Sequence, residues 1–280
     1  MNLVLLVGAT LLAAEHPVDP TFLRRSISGV AEKAMDVSSA TCHYKPLFGA
    51  GDSQASALKG IARFGEITVD PRGASKSVAY PREEQAYFVE DGAGELQYGD
   101  GKYPVRRNDF LYLPAGIGHS LSNAGEAPLR VIVMGFKLAA APTGDPTKPQ
   151  IANADDVRKQ VVGNHPPSTL YQLMIGDVHS TRDKIAAGHV LTSLFIMEII
   201  PGGTNLPHHH EREEEIYLLL DGAGDMVAGG GMDGVEGRHS AKAGDAYFIR
   251  LNATVGFYNT DAKTARILAV RSLFPFQGKN

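Results

Sequence analysis

One cysteine, no tryptophan, no excess of positive charge and no apolar run long enough to cross a bilayer: each of these absences narrows what this 280-residue chain can be. With Cys42 alone, no intramolecular disulfide can form. Nothing in the surrounding sequence pairs that thiol with a histidine, so it reads as a small buried apolar residue rather than a nucleophile. Lysine and arginine number 27 against 31 acidic residues, a formal net charge of −4, and no basic run appears. Nucleic acid and anionic membrane surfaces are thereby excluded as expected partners. The longest apolar run, Leu3 to Ala14, stops at Glu15-His16-Pro17. It is too short to span a bilayer and has the length of a signal-peptide core, with Ala13-Ala14 as a small-residue end suited to cleavage. It lacks the usual preceding lysine or arginine, and an apolar first strand or helix is the other reading. Residues 1–14 are predicted as a signal peptide, and the protein as secreted or periplasmic. A chain with no cysteine pair is compatible with either side of a membrane.

What the chain does have is turn formers and a repeat. Glycine (31) and proline (16) favour tight turns and short strands over long helices, and the length suits two domains. Phe64–Gly73 parallels Phe195–Gly203, Glu84–Gly94 parallels Glu214–Gly224, and Arg107–Leu113 parallels Ala243–Ile249, all in nearly constant register. A repeat of this size means two copies of one domain. Short β-branched or aromatic runs recur between Gly, Asp and Asn turns, as at Ala86–Val89, Phe110–Leu113, Leu129–Met134, Ile216–Leu220, Ala246–Ile249 and Ala265–Val270. They predict an all-β fold of antiparallel sandwich or barrel type. The expected division is an N-terminal arm at 15–60, giving a strand and a cover to the first barrel, a first domain at 61–138, a connecting segment at 139–185 and a second domain at 186–276. Within the connection, 153–162 is predicted as a short helix, with Asn153 or Asp155 near its start.

The stretch that carries chemistry is Gly202-Gly203-Thr204-Asn205-Leu206-Pro207-His208-His209-His210, followed by Glu215 and Gly222. On a β-strand, side chains two apart share a face, so His208 and His210 can converge while His209 turns away. Glu215 can reach the same point from the next stretch. Two imidazoles and one carboxylate suit a divalent transition metal such as Fe, Mn, Ni, Zn or Cu, and open positions suit oxygen or substrate. A solvated His/Glu-rich loop is the plainer alternative. The spacing G-x5-H-x-H-x4-E-x6-G weighs against it, because it resembles the first characteristic motif of the cupin family in full. The resemblance extends over nearly the whole chain after the apolar leader, as a bicupin, and implies two tandem jelly-roll (double-stranded β-helix) barrels.

The family's second motif, G-x5-P-x-G-x2-H-x3-N, is broken in the second half. Gly244 and Asn259 hold its ends, but Arg250, Asn252 and Val255 replace Pro, Gly and the ligating His. The resemblance therefore implies a site reduced to His208, His210 and Glu215, either still binding metal, more weakly, or decayed into a polar pocket. His239 could reach in from a loop. Tyr217, Tyr247 and Tyr258 are candidates to line the cavity, with Tyr247 or Tyr258 positioning substrate or passing a proton. The first half shows the complementary loss. Val78, Tyr80 and Gln85 stand where His208, His210 and Glu215 do, while Pro114, Gly116, His119 and Asn123 match the second motif. Tyr80, Gln85 and His119 are expected to form a hydrogen-bonded group or a metal-free pocket, with His119 bonded to Tyr80 or Gln85. The resemblance implies a metal-dependent oxidoreductase or lyase, of dioxygenase, decarboxylase or isomerase type, acting on a small oxygenated organic molecule. A non-catalytic sugar- or small-ligand-binding protein and a storage bicupin are the alternatives, and a homodimer is compatible with all three.

Overall fold

A computed structural model describes residues 20–140, 148–163, 165–230 and 236–275. The predicted signal peptide at 1–14 lies outside the described residues. The first half builds β1 (Phe22–Ser26), β2 (Cys42–Gly49), β3 (Ile61–Val69), β4 (Glu83–Asp91), β5 (Ala93–Tyr98), β6 (Gly101–Arg106), β7 (Asp109–Leu113), β8 (His119–Ser122) and β9 (Leu129–Lys137). The second builds β10 (Gln150–Asn153), β11 (Thr169–Asp177), β12 (Ile185–Gly188), β13 (Leu191–Ile199), β14 (Glu213–Asp221), β15 (Ala223–Gly229), β16 (Glu236–Lys242), β17 (Asp245–Ile249), β18 (Thr254–Tyr258) and β19 (Ala265–Leu273). The described chain is therefore all-β, as expected. The predicted helix at 153–162 is a single 3-10 turn, Ala154–Asp156, capped where the Asn153 side chain accepts from the Asp155 amide. Among the described residues no helix is long and apolar enough to cross a membrane.

Each half closes a large sheet over a small one. The first barrel sets β10-β7-β4-β9-β3-β2 against β6-β5-β8, and the second sets β1-β17-β14-β19-β13-β11-β12 against β16-β15-β18. The expected N-terminal arm divides between the barrels. β2 pairs with β3 in the first, but β1 pairs antiparallel with β17 of the second. The expected connecting segment does the same in reverse, since β10 pairs with β7 of the first barrel while β11 and β12 join the second. Each half thus lends its leading strand to the other, which covers an exposed sheet edge on both barrels.

Alternation along the strands explains why the long runs are apolar on both faces. On β14, Tyr217 and Leu219 point into the second barrel, while Ile216 and Leu218 point into a shared core between the barrels. On β4, Tyr87 and Val89 fill the first barrel, while Ala86 and Phe88 join that shared core. Strands buried on both faces read as continuous hydrophobic runs. Cys42 is buried, and burial pushes its thiol up to about 12, in keeping with an inert residue.

Candidate metal centre

Glu213, Glu214 and Glu215 open β14, and the pleat sends them different ways. Glu214 faces the first barrel, where its carboxylate accepts the amides of Lys59, Gly60 and Ile61. Glu215 faces the second barrel's interior, and Glu213 bonds Arg271 at 3.2 Å. The histidines come from the loop before β14. They do not lie in a regular strand, because Pro207 cannot donate and Leu206 holds a left-handed backbone, φ +59°. His208 nevertheless forms a β-bridge with Val255, and its backbone exchanges hydrogen bonds with that residue at 2.8 and 2.9 Å. His209 is exposed and faces away.

The donor atoms of His208, His210 and Glu215 all lie within 4.8 Å of one another. His210 Nε2 and Glu215 Oε2 are 3.2 Å apart. Both atoms are nonetheless buried without an aligned hydrogen bond, so their approach is an ion-pair contact and not a closed hydrogen bond. Two buried, facing and unsatisfied donor atoms fit a cation between them better than a closed protein contact. His208 Nδ1 lies 2.9 Å from the Leu206 carbonyl. A carbonyl only accepts, so Nδ1 carries the hydrogen and Nε2 keeps its lone pair. Burial pulls the His208 pKa down, against the opposing pull of Glu215, which favours the neutral ligand form. Burial alone would raise Glu215, but His210, Arg271 and His208 outweigh it and hold the carboxyl below its usual range. Both shifts prepare the group for a cation without protons to displace.

The three residues line a cavity of about 210 Å³, together with Tyr171, Tyr217, His165 and Arg271 among others. Tyr171 Oη and Arg271 Nε are buried there without hydrogen-bond partners. Tyr217 Oη accepts from Asn205 Nδ2 at 3.0 Å. Burial, then Glu215, raises both tyrosine pKa values, so both phenols keep their protons.

Three of the sequence candidates do not line this cavity. Tyr258 ends β18, where Val255 and Phe257 take the inward positions. Alternation sends Tyr258 outward, under Arg238 at 4.1 Å from its ring centroid and into a separate cleft with Pro207 and Glu236. Tyr247 is buried in the second barrel beside Arg24 and His239, one strand beyond Tyr217, and does not line the cavity. His239 sits on β16 against Phe22, 4.9 Å between ring centroids, not over the metal residues. Tyr171, His165 and Arg271 were missed because they come from β11, the connection and β19. No local motif marks them; the buried, unpartnered Tyr171 Oη and Arg271 Nε signal a role only after folding.

In the first barrel, His119 bridges Val78, the mirror of His208 and Val255. Its Nδ1 donates to Ile117 O at 3.0 Å, and its Nε2 therefore accepts from Tyr87 Oη at 3.0 Å. The expected bond to Tyr80 or Gln85 is thus replaced by one to Tyr87, which projects from β4 into the same core. Tyr80 instead accepts from Arg63 at 2.9 Å, and Gln85 donates to Glu83 at 3.0 Å. Burial pulls the His119 pKa down, so it stays neutral with both ring nitrogens occupied.

A model of the cupin domain matches residues 65–135 and 195–271, more than half of the chain. The protein therefore belongs to the cupin family. With two such domains in one chain, it is a bicupin of two tandem jelly-roll barrels. An uncharacterised protein of Methanocaldococcus jannaschii, MJ1618, is 26% identical over 53 residues, 19% of this chain, and the match spans 42% of that protein's length. A Pseudomonas aeruginosa protein provisionally named as glyoxylate-induced superposes with a TM-score of 0.74 at 13% identity, over 98% of this chain and 97% of its own. Oxalate decarboxylase of Bacillus subtilis, a structure studied for its Mn(II) centres, superposes with a TM-score of 0.67 at 11% identity, over 94% and 80%. At these identities the structural likeness speaks for the fold.

Proposed function

We propose that this bicupin is a metal-dependent enzyme acting on a small oxygenated organic molecule, with its centre in the second barrel at His208, His210 and Glu215. The observation that carries the proposal is the pair of buried, facing atoms without an aligned hydrogen bond, His210 Nε2 and Glu215 Oε2. Structural likeness to an oxalate decarboxylase with Mn(II) centres makes manganese a first choice among Fe, Mn, Ni, Zn and Cu. When bound, the ion supplies Lewis acidity or a site for oxygen. The chain's own residues do the rest. Leu206 O fixes the His208 tautomer, and Glu213 stands 3.7 Å from His210 Nδ1 to orient that ring. Tyr171, with its proton retained and its hydroxyl unpartnered, donates a hydrogen bond to a substrate oxygen. Tyr217 is held by Asn205 to do the same. Leu173 and Phe195 line the apolar side of the cavity. The reaction class is of decarboxylase, dioxygenase or isomerase type. The open cavity beside His208 weighs against a storage role, which would leave the barrel filled. Export through the predicted signal peptide is part of the proposal, and N-terminal sequencing of protein recovered from the host's exterior checks it.

Elemental analysis of tag-free, chelator-rinsed protein tests the metal centre. Near-stoichiometric metal is expected, lost in the His208→Ala/His210→Ala variant and unchanged in His119→Ala, whose ring nitrogens are both engaged elsewhere. Equal trace metal in all three proteins would sink the metal-dependent reading.

A further inference from the structure

Three protein donors leave the centre one short of a closed set, and the missing position is visible. Val255, fully buried and bridged to His208, occupies the place where the family's second motif carries its ligating histidine. A third imidazole nevertheless faces the same cavity from outside both motifs: His165, in the segment between the barrels. Its ring centroid is 5.3 Å from that of His208, the two rings nearly perpendicular at 74°, and also 5.3 Å from that of Tyr171.

His165 is anchored at one ring nitrogen. Its Nδ1 lies 2.7 Å from the Asn205 carbonyl, so Nδ1 carries the hydrogen and Nε2 keeps its lone pair, the same tautomer as His208. Its own amide bonds Val162 O at 3.2 Å, and the flanking chain is pinned by the reciprocal backbone bonds of Gln160 and Tyr171 at 3.0 and 2.8 Å. Asn205 is fully buried and joins the parts. Its carbonyl holds His165, its Nδ2 holds Tyr217, and its Oδ1 accepts the Phe257 amide at 2.8 Å. A carbonyl-anchored imidazole with a free second nitrogen is the arrangement that metal-ligating histidines use.

We infer that His165 is the fourth protein donor, and the third nitrogen, of the second-barrel centre, brought in by the inter-barrel segment in place of the imidazole that the second motif would carry at Val255. The inference rests on the metal centre proposed above. His165 stands outside the trio whose donor atoms fall within 4.8 Å, so ligation takes an inward turn of its ring. A ligand from the connection also ties occupancy of the second barrel to the chain that joins it to the first.

The test is Co²⁺ titration of chelator-rinsed, tag-free protein, read both as affinity by chelator competition and as the visible d–d spectrum. His165→Ala should weaken Co²⁺ binding by about 10- to 100-fold and change the intensity and position of the bands. His165→Phe keeps a ring against Tyr171 and His208 without a donor nitrogen, and should show the same loss. His239→Ala removes a histidine of the same barrel that lies outside the cavity, and should change neither readout. Unaltered affinity and spectrum in both His165 variants would overturn the role of His165 alone, provided that His208→Ala/His210→Ala abolishes uptake. Weakened binding with an unchanged spectrum would also overturn it, because His165 would then shape the pocket without touching the ion. A protein that takes up no Co²⁺ at all would overturn the metal centre and this inference with it.

Discussion

Leu206 is a residue in a conformation that its type does not favour. Its left-handed backbone, φ +59°, has no counterpart at Lys76, the matching position of the first barrel. Among the described residues, the other non-glycine left-handed positions fall in matched turns. Arg72 answers Gly202, Asn108 answers Gly244, and Gly116 answers Asn252. Asparagine is thus found where the second motif expects glycine because both tolerate φ > 0. The strain particular to one barrel sits where His208 needs its anchor, at Leu206 O. Two residue-scale predictions follow from single groups. Tyr171→Phe should keep full metal content while lowering turnover or ligand affinity by about 10-fold or more, measured once a substrate is found, because it removes one unpartnered hydroxyl and no donor to the ion. Equal activity would deny Tyr171 its substrate bond. Glu90 supplies a pH-dependent case. It shares Arg130 with Glu66, at 2.8 and 2.6 Å. Burial, opposed by Arg130 and reinforced by Glu66, pushes Glu90 up to about 7. A folded value above the unfolded one means that the native state holds a proton that the unfolded chain has released. Glu90 thus opposes folding increasingly as pH rises from the ordinary carboxylate range to about 7, and no further above it. Denaturant unfolding of Glu90→Gln should therefore match the parent near pH 4 and exceed it by about 1–2 kcal/mol at pH 8. A constant difference across that range would contradict the shift.

At the scale of elements, the two barrels solve the same problem with exchanged parts. Val78 bridges His119 in the first, and His208 bridges Val255 in the second. Each barrel keeps one imidazole side of that bridge and fills the other with valine, so neither forms a four-ligand set from its own motifs. The asparagines that end the second motif are structural in both. Asn123 Nδ2 donates to Val69 O and Ala127 O, and Asn259 Nδ2 donates to Ile199 O and Lys263 O. They close the same turn in both halves, which is why this part of the motif survives where the ligand does not. Val255→His restores the imidazole to the β18 position. We expect tighter metal binding, by about 10-fold, together with a loss of about 1–3 kcal/mol in the stability of the metal-free protein, since the larger ring enters a filled core. Chelator competition and thermal unfolding would show both effects. Unchanged affinity would mean that the β18 position no longer faces the donors.

The whole molecule is held by reciprocal contacts between its halves. Glu84, on the first barrel, accepts the amides of His189, Val190 and Leu191, and Tyr112 donates to it at 2.6 Å. Glu214, at the matching position of the second, accepts those of Lys59, Gly60 and Ile61. Both carboxylates are fully buried. Together with the exchanged strands β1 and β10 and the shared apolar core, they make the two barrels one unit. Glu84→Ala and Glu214→Ala each leave several buried amides without acceptors, and each should cost about 3 kcal/mol or more. Calorimetry should still show one transition, lowered, since the barrels share a core. Two separated transitions in the unaltered protein would contradict the joint unit.

Much of this was present in the order of the residues. The repeat, the strand runs and the His-x-His…Glu spacing are local or periodic, and periodicity survives in a sequence because it reflects the pleat itself. The same alternation that groups Glu215 with Tyr217 and Leu219 is written in β14. What folding alone decided is what depends on contacts far apart in the chain. The arm's first strand went to the second barrel, Tyr258 turned outward under Arg238, and His119 took Tyr87 as its partner. His165, Tyr171 and Arg271 converged on the cavity from three separate segments. No spacing rule links such residues, because their proximity is set by sheet register and by the packing of one barrel on the other.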